Sequence, residues 1–113
     1  MKLLEGKIVH LCLPKEWEAA LQRGTYRAAS LKSEGFIHFS TPEQALESAE
    51  RYYREADALV ALIVPVKWVK AQLKWEPGRS GEDFPHLYAA LPLEKVETTL
   101  PVERNAEGRF IWA

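Results

Sequence analysis

A chain of 113 residues, 47% hydrophobic and 27% charged, has the size and composition of one globular domain spanning 1–113, not of a disordered segment. Its formal charge of -1 provides no long-range attraction to nucleic acid and argues against such a partner. Cys12 is the single cysteine, so an intrachain disulfide and a multi-cysteine zinc site are both excluded. No stretch approaches the roughly 18 apolar residues of a membrane helix, and the expectation is a cytoplasmic monomer or homodimer without membrane attachment.

Residues 7–13 read as a first strand. Ile8, His10 and Cys12 fall on one face and Val9, Leu11 and Leu13 on the other, which suits a strand covered on both sides. Pro14 then opens a helix over about 14–23, with Trp17, Ala20 and Leu21 as its inner stripe and Gly24 as its C-cap. Residues 25–33 carry no sustained period and read as a short extended piece and a loop.

Glu34-Gly35-Phe36-Ile37-His38-Phe39-Ser40-Thr41-Pro42-Glu43-Gln44 is the most informative stretch. Residues 36–40 read as a strand on which His38 and Ser40, two apart, share a face. Thr41-Pro42-Glu43-Gln44 is a capping signal, with Thr41 as N-cap and Gln44 reaching back to it. It starts a second helix, about 42–56, with Ala45, Ala49, Tyr52 and Ala56 as its apolar stripe.

Residues 58–66 are almost continuously apolar and read as a central strand ending near Pro65. One helical turn over 66–69 and a strand over 71–75 precede the loop 76–83, the most loop-like segment of the chain. Strands follow at 84–88 and 93–99, then a hairpin with 101–104 facing 109–112 across a turn at Gly108. Two helices early and many short strands late define an α+β chain.

Three histidines carry most of the chemical interest. His38 rises above a satisfied strand histidine because Ser40 accompanies it just before a helix N-terminus, where free N–H groups favour an anion. Glu34, Glu76, Glu82 and Asp83 are the carboxylates beside strands, and Glu76 is best placed to stabilise a cation or accept a proton. Arg79 could meet a phosphate, and Tyr26 and Tyr88 could stack on a flat ring. Convergence of His10, His38 and His86 on one point would instead make a metal-assisted hydrolase. Cys12 reads as a small buried hydrophobe.

The residues Ile8-Val9-His10, Trp17, Gly24-Thr25-Tyr26, Ser30-Leu31, Glu34-Gly35-Phe36-Ile37-His38-Phe39-Ser40, Glu76 and Phe84-Pro85-His86-Leu87-Tyr88 resemble the domain of unknown function 952 family over nearly the whole chain. The resemblance implies an ADP-ribosyltransferase-like fold, with split antiparallel sheets around an NAD cleft. Ile37-His38-Phe39-Ser40 also resembles the Val-His-Leu-Ser motif of the NAD-dependent RNA 2′-phosphotransferases. His10 matches their first histidine, although Leu11-Cys12 replaces Gly-Thr and Lys32 is the nearest cation to the second motif. The resemblance implies NAD or a related nucleotide as cofactor or substrate, and possible transfer of ADP-ribose. On that basis His10, Tyr26, Ser30, His38 and Ser40 are the binding residues and Glu76, His38 and His86 the catalytic ones, with no metal. A non-catalytic ligand-binding or protein-interaction module on the same scaffold is the alternative.

Overall fold

The computed structural model describes residues 4–78 and 81–113. In chain order it contains β1 (Lys7–Cys12), α1 (Pro14–Arg23), β2 (Thr25–Tyr26), α2 (Ala29–Glu34), β3 (Ile37–His38), α3 (Pro42–Tyr52) and β4 (Ala58–Pro65). Then follow α4 (Val66–Val69), β5 (Leu73–Pro77), β6 (Asp83–Leu87), β7 (Leu91–Pro92), β8 (Thr98–Arg104) and β9 (Phe110–Trp112). The strands form antiparallel sheets in the orders β1-β4-β8-β9, β3-β6-β5 and β2-β7. The chain is therefore α+β, as its pattern of elements implies.

The four-stranded sheet is the middle layer, because β1 and β4 are apolar on both faces. Ile8 and Cys12 with Leu62 and Val64 enter one core, beside Ala20, Tyr26, Ile37, Phe39, Leu87 and Leu91. Val9 and Leu11 with Leu59, Ala61 and Ile63 enter the other, beside Ala45, Ala49, Val102 and Phe110. Period-2 alternation thus sends successive residues of the same strands into opposite cores. Each fully buried Leu or Ile contributes about 1.5–3 kcal/mol by leaving water.

The segment 36–40 does not stay in one sheet. Ile37 and His38 pair with Leu87 and His86 of β6, and the Phe39 N–H reaches the Pro85 carbonyl. Ser40 then exchanges both backbone hydrogen bonds with Val9, each 2.8 Å, on the edge of β1. One short segment therefore sews the three-stranded sheet to the four-stranded one. Pro85 tolerates its place in β6 because it acts there only as an acceptor.

Several expectations need correction. Residues 29–34 are helical; six residues are too few to show a period, and the helix closes on Gly35 at φ 91, which supplies the left-handed C-cap. The second main helix ends at Tyr52, not 56. Tyr53 leaves the helical region, and Arg104 donates to the carbonyls of Tyr53, Arg54 and Ala56. Leu21 and Tyr52 are exposed, 54% and 59%, and leave the inner stripes, which keep Trp17 with Ala20 and Ala45 with Ala49, while Ala56 packs on the same core beyond the helix end. The strand placed at 71–75 lies at Leu73–Pro77, behind a 3₁₀ turn, which brings Glu76 into it. The strand placed at 93–99 begins only at Thr98, after a 3₁₀ turn over Leu93–Lys95. Arg79 lies outside the described residues.

The start of α3 forms as its sequence dictates. Thr41 Oγ1 accepts the Gln44 N–H at 3.2 Å, and Gln44 Oε1 accepts the Thr41 N–H at 3.0 Å. Gln44 Nε2 also donates to Glu82 and to the Asp83 carbonyl, tying the β5–β6 hairpin to the helix. Thr41→Ala should cost about 1 kcal/mol, and Gln44→Ala more, because it also releases the hairpin. Denaturant midpoints of the two variants check the order.

Candidate functional site

A cavity of about 670 Å³ opens where segment 36–40 crosses from one sheet to the other. Its walls are β1 at Val9, His10 and Leu11, α2 at Ser30 and Glu34, the crossing segment at Phe36 and His38 to Ser40, and α3 at Glu47, Ser48 and Arg51. Pro77, Gly78, Phe84 and His86 close it from the β5–β6 hairpin. A Cβ at Gly78 would collide with the Phe84 ring, so only glycine lets that ring lie against the turn.

His10 is buried, 7% exposed, and both ring nitrogens are engaged. Nδ1 lies 2.6 Å from the His38 carbonyl oxygen and Nε2 lies 2.7 Å from the Tyr26 hydroxyl. A carbonyl can only accept, so Nδ1 carries the proton and Tyr26 donates to Nε2. Burial, the largest cause, holds the His10 pKa down to about 4 and keeps the ring neutral. His10 is thus a cavity wall and a brace between β1, β2 and β3. Cys12 is fully buried, and desolvation pushes its thiol up to about 12, which leaves it inert.

His38 and His86 stand directly opposite each other in the β3–β6 register, with ring centroids 5.2 Å apart and planes at 82°. Each ring has its own carboxylate. His38 Nε2 meets Glu34 Oε2 at 3.2 Å in a half-exposed pair, and His86 Nδ1 meets Glu76 Oε1 at 2.7 Å. Phe36 lies edge-on to His38 and stacks on His86 at 4.1 Å and 19°.

Glu76 Oε1 also accepts the Tyr88 hydroxyl at 2.7 Å, and that bond, with the one from His86, holds its carboxyl below the usual range. The Tyr88 hydroxyl is raised by the same contact. Lys74 sits over the Tyr88 ring at 4.8 Å.

His10, Tyr26, Ser30, His38, Ser40 and His86 therefore line one cavity, and Glu76 stands behind His86 instead of beside them. Several have structural bonds as well. Ser30 Oγ donates to the Phe36 carbonyl at 2.7 Å, and Ser40 Oγ pairs with Ser48 Oγ at 2.9 Å. Phe36, marked in the sequence only as part of the family motif, and Ser48 and Arg51, which the sequence does not single out, complete the walls. The signal for Ser48 and Arg51 was their position one turn and nearly two turns after Gln44, on one flank of the helix stripe. A three-histidine metal centre is not assembled: both nitrogens of His10 are used. Among the described residues no group of three His, Cys, Asp or Glu is arranged to hold an ion. Among them, too, no helix is long and apolar enough to cross a membrane.

Fold and site together define a small α+β domain with a histidine-lined cleft between two antiparallel sheets. The chain belongs to the DUF952 family, whose model, described as a protein of unknown function, matches residues 11–99. The crystal structure of CC0527 from Caulobacter crescentus is similar at 35% identity, with a TM-score of 0.85 and 93% of each chain covered. Its solution NMR structure is similar with a TM-score of 0.81, covering 92% of this chain and 90% of that one. A search of curated proteins found no match.

The buried neutral His10 predicts an acid dependence of stability. Its folded pKa lies below the ordinary 6.5, so its contribution is complete above about pH 6.5 and is lost as pH falls toward 4. The loss amounts to about 3 kcal/mol at 1.36 kcal/mol per pKa unit. Urea midpoints from pH 7 to pH 4 should fall steeply for the native chain and less steeply for His10→Ala. Glu76 gives its own loss at lower pH, below the ordinary carboxylate range.

Proposed function

We propose that the cleft binds NAD or a related nucleotide, and that its chemistry is transfer of ADP-ribose. The observation that carries this reading is the convergence of His10, Tyr26, Ser30, His38, Ser40 and His86 on one cavity. Its volume falls in the range of small-molecule sites, roughly 300–1,000 Å³. The resemblance of the His10 strand and the Ile37–Ser40 motif to NAD-dependent transferases of ADP-ribosyltransferase-like fold supports the choice of ligand.

The residues suit such a molecule. Phe36 and His86, stacked on each other, add aromatic surface to the cavity wall, and Arg51, paired with Glu47 at 3.8 Å, supplies a permanent cation on the α3 side for a phosphate. His38, half exposed and lightly paired, is free to meet a hydroxyl or phosphate oxygen. His10 acts through position: it fixes the His38 carbonyl and the Tyr26 ring on either side of it.

A second reading, binding without turnover, is favoured by one feature. The Glu76 carboxylate is held by His86 and Tyr88 and does not line the cavity, so it cannot itself face a developing cation.

Calorimetric titration with NAD, ADP-ribose and a nucleoside 2′-phosphate separates these readings from failure. At least one should bind with a Kd below about 1 mM, and His38→Ala, exposed enough to spare the fold, should weaken it by about tenfold. No binding by any of the three at millimolar concentration overturns the reading.

A further inference from the structure

We infer that His86 is a general base that deprotonates a hydroxyl acceptor, and that Glu76, backed by Tyr88, is the residue that positions it. The inference rests on the nucleotide reading and specifies what that site would do and to which class of acceptor.

Of the three histidines, His86 alone combines burial with an open nitrogen. It is 9% exposed, its Nδ1 is fixed on Glu76 at 2.7 Å, and no described residue bonds its Nε2. His10 has no nitrogen left, and His38 is half exposed on a longer contact to Glu34.

A carboxylate accepts only, so Nδ1 bears the proton, and the neutral ring of this cavity-lining residue keeps its lone pair on Nε2. Phe36 stacked on one face and His38 edge-on hold the ring plane, and a flip would turn a carbon toward Glu76. Tyr88 donates to the same carboxylate oxygen, which fixes Glu76 in turn. This is the orienting half of a catalytic couple, with the nucleophile left to be supplied by a bound molecule.

The chemistry of a nicotinamide N-glycoside fits one such base. When an O–H acceptor forms a bond to the ribose C1′, the C1′–N bond breaks and its electron pair goes to the pyridinium nitrogen. Nicotinamide then leaves neutral and takes no proton. The proton to be moved is the acceptor's, and it passes to His86 Nε2 and then to solvent. The acceptor class is accordingly a neutral hydroxyl: water, a sugar or a serine.

The test uses the whole chain with NAD, water being the default acceptor and an added simple diol the alternative. Released nicotinamide is measured together with calorimetric affinity. Glu76→Gln, altered outside the cavity, should leave NAD affinity within about twofold while slowing release by about tenfold or more. His86→Gln should slow it by about 100-fold or more.

Nitrogen-15 NMR of the histidine rings gives a readout independent of turnover. In the native chain the neutral His86 ring should carry its proton on Nδ1, and in Glu76→Gln it should become a mixture of tautomers. A native ring protonated on Nε2, or a His86→Gln variant releasing nicotinamide at the native rate, overturns the inference. NAD binding with no release to either acceptor overturns it while leaving the binding reading intact. Failure to bind NAD, ADP-ribose or a nucleoside 2′-phosphate overturns the binding reading itself.

Discussion

Everything at the site depends on residues 36–40 changing sheets. If the segment ran on along β6, Ser40 would not meet Val9 and no gap would open between the two sheets. Two pairs of contacts hold the crossing: the double hydrogen bond of Val9 with Ser40, and the His10 ring on the His38 carbonyl and the Tyr26 hydroxyl. Val9, His10, Tyr26 and Ser40 are all buried, and an unmade bond at a buried polar group would cost about 1–3 kcal/mol. The crossing is therefore held, and the cavity is a consequence of the fold and not of loop placement.

Within that frame the three histidines have separate positions and separate properties. His10 is neutral, saturated and structural as well as cavity-facing. His38 reaches solvent with Glu34 beside it. His86 is buried, oriented by Glu76 and open at one nitrogen. The same residue type thus takes three roles, set by what each ring nitrogen touches. Glu76 changes most from its sequence expectation. It contacts His86 and not the cavity, and its position in β5 explains why: it shares a sheet face with His86 of β6 and with Tyr88 just beyond that strand.

Much of the fold was legible because its signals are local. Pro14 with Gly24, and Thr41-Pro42-Glu43-Gln44, start or stop helices by bonds made within a few residues. The apolar run of β4 and the hairpin closed at Gly108 are equally self-contained. What was missed depends on partners far along the chain. The end of α3 at Tyr52 is set by Arg104, about fifty residues away, and α2 is too short to show a period. At the site, the sequence could name His10, His38, Ser40 and His86 but not their pairing. The stacking of Phe36 on His86 and the bond from His10 to the His38 backbone exist only once the sheets have met.

Amide hydrogen exchange at Val9, Phe39 and Ser40 tests the central claim, that a held strand crossing builds the cleft. These amides should exchange only with global unfolding, as slowly as those of β4, because the bonds of Val9 and Ser40 join the two sheets and that of Phe39 ties the crossing segment to β6. Exchange at Val9 and Ser40 on the fast timescale of exposed loops, with β4 still protected, would show that the sheets part independently and would contradict the account.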